Sequence, residues 1–174
     1  MTNREKIIKT TFDNMKSMLS NYKENPDYDK SSVHRLYYES IMRHGHIFTR
    51  YVSKNAMKKS TNTTYDHFTI PQWIGRFIMD NDDVYLSDFE KFKDIFKFSL
   101  QTIKVTKEEN KKLSLQTPTI KDIDGIKTFI EISIKDKYDK AGIMLWCDKD
   151  GYVNEFPIPI PQEILDYEEQ FLKK

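Results

Sequence analysis

All four histidines of this chain lie between Val33 and Arg76, together with seven of its Lys and Arg residues and only two carboxylates. Two short groups stand out, Arg43-His44-Gly45-His46 and Asp66-His67, with Arg35, Arg50, Lys54, Lys58, Lys59 and Arg76 spread around them. Imidazole and carboxylate groups ligate divalent cations, imidazole carries protons near neutral pH, and Lys and Arg neutralise phosphate. Tyr37, Tyr38, Phe48, Tyr51 and Trp73 lie in the same stretch, and rings of this kind stack on nucleobases. The chemistry these residues suit is that of a phosphodiester or a metal ion, although taken singly each histidine fits equally well as a helix cap, a carboxylate partner or a surface group. Within these bounds seven basic residues stand against two acidic ones, +5 in a chain of net charge +1, so the remainder sums to −4. Bulk charge therefore gives no argument for a nucleic-acid partner, but its distribution does.

Asp66-His67, with Pro71 shortly after it, resembles over about a dozen residues the opening strand of the HNH, or ββα-metal, nucleases. The resemblance implies that His67 deprotonates an attacking water, while Asp66 holds a divalent cation, magnesium or manganese, on the scissile phosphate. Arg43 would then bind phosphate. Neighbouring residues of a strand point to opposite faces, so Asp66 and His67 meet one ion and its water only from a bent backbone. The family pattern continues with a downstream Asn and a second His or Asn ligand, often beside zinc-binding cysteine pairs. Here no histidine follows His67 and there is one cysteine, leaving Asn81 with Asp82, or Asn110, as the downstream candidates. Zinc is the other metal the residues allow, through His44, His46 and His67 with His34 or Asp66. Arg35, Arg50, Lys54, Lys58, Lys59 and Arg76 form a candidate phosphate track, with Tyr51 or Trp73 as stacking surface, although Ile74, Phe77 and Ile78 draw Trp73 toward the core.

Other chemistries are excluded or unsupported. Five scattered glycines make no phosphate-binding loop, and no Gly-x-Ser-x-Gly turn is present. Cys147 sits alone in an apolar run and reads as an inert buried thiol. With a single cysteine, no signal-like leader and no apolar run near the ~20 residues a bilayer requires, a cytoplasmic protein without a membrane partner is expected.

Several elements must position these residues. Thr2 and Glu5 have capping-box spacing ahead of Ile8, Phe12, Met15, Leu19 and Tyr22, which repeat at helical intervals up to the turn at Pro26. Ser31 or Ser32 caps a second helix burying Val33, Leu36, Tyr37, Ile41 and Met42, with Gly45 placed to end it. His46 to Val52 reads as a strand, with helical continuation as the alternative, Lys54 to Thr64 as an exposed basic loop, Tyr65 to Phe68 as a short strand, and Pro71 to Met79 as a helix. Ser87 with Glu90 predicts a capped helix over Phe89, Phe92, Ile95, Phe96 and Leu100. Gln101 to Val105 reads as a strand, and Thr106 with Glu109 caps a helix to Leu115. Ile126 to Ile134 alternate as a half-buried strand, and Ile143–Cys147 with Tyr152–Phe156 flank a hairpin turn ending in Asp150-Gly151. Pro157, Pro159 and Pro161 lead into a last helix from Gln162 to Leu172, docked by Ile164, Leu165 and Leu172.

The expectation is therefore one α+β domain over residues 1–174, helix-rich in its first two-thirds, with a small antiparallel sheet near the C-terminus and a C-terminal helix. Its expected activity is that of a metal-dependent HNH-like endonuclease or a related nucleic-acid-binding protein, acting on DNA ahead of RNA. The alternative is an adaptor or inhibitor that binds another protein through the basic, His-rich surface. Heavy use of Lys, Asn and Ile suits an AT-rich genome such as that of a phage or mobile element.

Overall fold

The computed structural model describes residues 2–25, 31–43, 46–58, 62–115, 133–147, 151–153 and 158–171. Its elements, in chain order, are α1 (Asn3–Glu24), α2 (Ser31–Arg43), β1 (Ile47–Ser53), α3 (Lys54–Lys58), β2 (Thr63–His67), α4 (Pro71–Asp80), α5 (Asp82–Tyr85), α6 (Phe89–Ser99), β3 (Gln101–Thr106), α7 (Lys107–Leu115), α8 (Lys137–Lys140), β4 (Leu145–Cys147), β5 (Gly151–Val153) and α9 (Gln162–Glu169). The chain is α+β and divides into two compact units, Met1–Ile47 with Thr69–Gln101, and Phe48–Phe68 with Thr102–Lys174.

The first unit is helical. The expected capping box opens α1: the Glu5 N–H donates to Thr2 Oγ1 (3.2 Å) and the Thr2 N–H to the Glu5 carboxylate (2.7 Å). These bonds satisfy donors that a helix start otherwise leaves free. Ile8, Phe12, Met15 and Leu19 are buried along one stripe of α1, and Val33, Tyr37 and Ile41 along one stripe of α2. Met42 falls off that stripe and is 48% exposed, contrary to its expected place on the buried side. Pro71 occupies the first turn of α4, which buries Trp73, Ile74, Phe77 and Ile78. Asn81 ends α4 by donating both its N–H and its side-chain Nδ2 to Phe77 O (3.2 and 2.8 Å), after which Asp82–Tyr85 make one further helical turn.

The cap of α6 is Asp88 and not Ser87. The Asp88 carboxylate accepts from the N–H groups of Glu90 (2.9 Å) and Lys91 (3.3 Å), while the Ser87 hydroxyl turns back onto Asp83 O. A carboxylate at a helix N-terminus also meets the positive end of the dipole, which favours Asp88 over its neighbour. Phe12, Tyr37, Phe92 and Phe96 form a ring cluster with centroids 5.3–6.3 Å apart, edge-to-face except for Phe92 and Phe96, whose planes are inclined by 40°. Within it the Tyr37 hydroxyl meets Ser99 Oγ at 2.8 Å, and Ser99 Oγ lies 3.1 Å from Ile95 O. Since Ser99 has one proton and gives it to Ile95 O, Tyr37 is the donor of that pair, and burial raises its pKa above the ordinary phenolic value.

The second unit holds most of a five-stranded sheet in the order β2-β3-β1-β4-β5. β2 runs antiparallel to β3 with Tyr65 opposite Lys104 and Asp66 opposite Ile103, and the β4–β5 hairpin is antiparallel to β1 with Val52 opposite Trp146. At the start of β1 the Ile47 N–H donates to Leu100 O, just ahead of β3, at 2.7 Å, a pairing of two strand starts that sets β1 and β3 parallel. The sheet is therefore mixed and mainly mid-chain, not a small antiparallel sheet near the C-terminus. β1 is central and needs ladder partners on both edges, and only β3 and β4 together supply them. Gly151 takes φ 75° at the end of the hairpin turn, a left-handed conformation that suits glycine.

The strand expected over Ile126 to Ile134 lies outside the described residues except for its end, where Ile134 is a buried turn residue. Gly45, Pro26, Asp148 to Asp150, Pro157 and Leu172 also lie outside them. The loop expected over Lys54 to Thr64 begins instead with α3, because the Ser53 hydroxyl accepts the Ala56 N–H (3.0 Å) and caps a short helix. The capping box of α7 is present as expected, with the Glu109 N–H on Thr106 Oγ1 (3.1 Å) and the Thr106 N–H on Glu109 Oε2 (2.9 Å). The same carboxylate also accepts from Ser53 Oγ (2.5 Å) and Asn55 Nδ2 (2.9 Å), so one buried side chain secures the starts of both α3 and α7.

Candidate functional site

Strand alternation in the second unit separates two faces of the sheet, and they differ in chemistry. Tyr65 and Lys104 are register partners and project to the same side. Phe48, on the far side of β3 from Tyr65, meets it with ring centroids 4.6 Å apart and planes inclined by 46°. Strands two apart are about 10 Å from each other, so two large rings leaning inward are needed to close that gap above β3. Arg50 and Val52 follow Phe48 at two-residue steps on this face. These are the rings and charges that solvent sees: Phe48 is 63% exposed and Tyr65 41%, and Met57 and Lys58 on α3 are exposed beside them. Together with Arg50 and Lys104 they border a cavity of about 500 Å³, and no Asp or Glu is among its described lining residues.

The opposite face carries Asp66. Its carboxylate Oδ2 accepts from Lys137 Nζ (2.7 Å) and from the Tyr138 hydroxyl (2.6 Å), both on α8. Lys137 Nζ also donates to His67 O at 2.8 Å. The lysine side chain is 5% exposed and the aspartate 14%. Burial, then the Asp66 charge and the hydrogen bond to it, raise the Tyr138 pKa well above the ordinary phenolic value, so this hydroxyl remains a donor. The group is a satisfied ionic cluster fastening α8 to the sheet. His67 is buried on the side to which Tyr65 points, opposite Thr102. Asp66 and His67 thus project to opposite faces, the geometry that a common ion would have to overcome.

The remaining expected site residues divide between the units. In the first, Arg35 (3.0 Å) and Arg43 (3.2 Å) both pair with Glu39 on α2, and Arg76 pairs with Asp80 on α4 (3.5 Å). Arg43 also edges a cleft of about 360 Å³ with Lys6 and Asn14 of α1. His46 is half-buried ahead of β1. His44 and Lys59, and the side chain of His34, lie outside the described residues. In the second unit, Arg50 and Lys58 border the sheet-face cavity, Lys54 is half-buried at the start of α3, and Asn110 is half-buried on α7. Among the described residues no three His, Cys, Asp or Glu side chains gather in a way that would hold a metal ion. Trp73 is buried, which removes it as a stacking surface, while Tyr51 is half-buried at the cavity. Cys147 is a buried free thiol, and no described helix is long and apolar enough to cross a membrane.

Tyr65 and Lys104 were not legible as site residues. Phe48 carried a signal: it alternates with Ile47 and Thr49 and shares its strand face with Arg50, which sets an aromatic ring on a charged side. No known protein-family model matches this sequence, and neither a curated protein nor a solved structure is significantly similar to it.

Proposed function

We propose that the chain binds nucleic acid through the face of its sheet formed by Phe48, Arg50, Tyr65 and Lys104, with Lys58 at its margin. The observation that carries this is the pairing of two exposed, touching rings with three cations around one cavity from whose described lining carboxylates are missing. Rings attract base faces and cations attract phosphate, and the combination without acidic residues favours a polyanion. The arrangement gathers Arg50 and Lys58 from the charge-rich segment and adds Lys104 from outside it.

Cleavage by an HNH-like mechanism is a further demand on the same protein. For Asp66 to hold magnesium or manganese, that cation would have to displace the Lys137 ammonium from Oδ2, on the face opposite Tyr65. Binding is therefore the part of the nuclease reading that the geometry favours. The test is an anisotropy titration of labelled DNA and RNA against salt, with Arg50→Ala and Lys104→Ala beside wild type. Affinity is expected to fall steeply with salt, and each substitution to weaken binding and lower the salt slope by about one. A flat salt response with unaffected variants would instead favour the adaptor alternative, a protein partner on this surface. The same samples incubated with magnesium, manganese or EDTA, with His67→Ala as control, decide whether cleavage accompanies binding.

A further inference from the structure

We infer that this face takes single-stranded nucleic acid, not duplex, and that it holds bases with little regard to their sequence; the inference rests on the nucleic-acid reading above. Bases in a duplex are stacked on one another and offer only their edges in the grooves, so a protein ring reaches a base face there only by unstacking the helix at a cost. In a single strand the base faces are available. Phe48 offers such a surface, being the most exposed of the large apolar side chains described. Because its ring already touches that of Tyr65 at 4.6 Å, no third ring fits between them, and a base stacks on the outer side of the pair.

The cavity beside the rings, about 500 Å³, falls within the ~300–1,000 Å³ range of pockets that enclose small ligands. That volume suits a nucleotide. Arg50 on β1, Lys104 on β3 and Lys58 at the end of α3 approach the cavity from three elements and can follow a bending sugar-phosphate backbone. Apart from Arg and Lys, which can bond guanine but serve phosphate equally well, the side chains that read base identity along base edges are chiefly Asn, Gln, Asp and Glu. None is among the described lining residues, and the Thr49 hydroxyl there is already donated to Thr102 O at 2.8 Å. Stacking and charge without edge readout give base-dependent but sequence-tolerant binding.

The experiment measures anisotropy of equal-length labelled probes on the full chain: single-stranded DNA of two unrelated sequences, single-stranded RNA, an abasic single strand with the same phosphates, and a duplex. Single strands of either sugar are expected to bind roughly tenfold more tightly than the abasic strand and the duplex, with the two sequences within about threefold of one another. Phe48→Ala should erase the advantage over the abasic strand, and Phe48→Trp should preserve it. Since Phe48 is exposed, thermal melts should show both variants folded. If duplex or abasic strand binds as well as the single strand, or Phe48→Ala changes nothing, while Lys104→Ala weakens every probe, the single-strand inference falls and the phosphate-binding function stands. If no probe binds, both fall. A large difference between the two sequences overturns the sequence tolerance.

Discussion

Two adjacent residues, Tyr65 and Asp66, divide this protein's chemistry because a strand sends them to opposite faces. Tyr65 joins the ring and cation face; Asp66 enters a cluster with Lys137 and Tyr138 in which every polar contact is short. A buried ion pair of this kind is costly to break on one side, because the surviving charge is left without compensation. Lys137→Met is expected to lower stability by about 3 kcal/mol in urea unfolding, and adding Asp66→Asn should recover part of the loss by removing the stranded charge. If Asp66 served chiefly as a metal ligand, Lys137→Met would instead raise affinity for manganese at little cost in stability. Arg35 and Arg43 illustrate the opposite case: both turn to the single carboxylate of Glu39 on an exposed helix face, where ion pairs contribute little.

At the scale of elements, local signals decide where helices begin, and their buried partners decide how much each start matters. The capping boxes at Thr2 and Thr106 have the same spacing, but the first is exposed and the second buried. Thr2→Ala should therefore cost about 1 kcal/mol. Glu109→Ala should cost more, about 3 kcal/mol, because it removes acceptors from Ser53 Oγ, Asn55 Nδ2 and the Thr106 N–H together. Comparing the two variants by denaturant midpoint checks the difference. It also tests the sheet face, since α3, which carries Met57 and Lys58, begins at Ser53: Glu109→Ala should weaken nucleic-acid binding although Glu109 lies outside the cavity lining.

Across the whole molecule, stability is expected to depend on pH through Glu168. This buried carboxylate of α9 accepts the Ile134 N–H at 2.6 Å. Burial pushes its pKa up to about 7; the Ile134 N–H and Lys135 oppose the shift, while Asp136 and Glu169 add to it. A carboxyl whose folded pKa lies above its unfolded one binds more protons when folded, so its contribution is complete below the unfolded value of about 4.5 and lost as pH rises through about 7. The melting temperature should fall between about pH 5 and pH 8, and Glu168→Gln should flatten that slope. Helix starts at Thr2, Pro71 and Thr106, the buried stripe of α1 and the β4–β5 hairpin were legible in the sequence because capping, turn chemistry and periodicity act between residues a few positions apart. The candidate face was legible only in part: Phe48, Arg50 and Lys58 were singled out in the conspicuous segment, whereas Tyr65, in the same segment, and Lys104, outside it, joined them only through strand pairing. The sequence by itself determined which residue types were available and where the longer helices α1, α2, α4, α6, α7 and α9 would form, though not the short α3, α5 and α8. Tertiary structure alone decided that β3 would lie between β1 and β2, which carried Tyr65 and Lys104 to Phe48 and turned Asp66 away toward Lys137, because strand order and register are set by long-range burial and ladder bonding that no local pattern encodes.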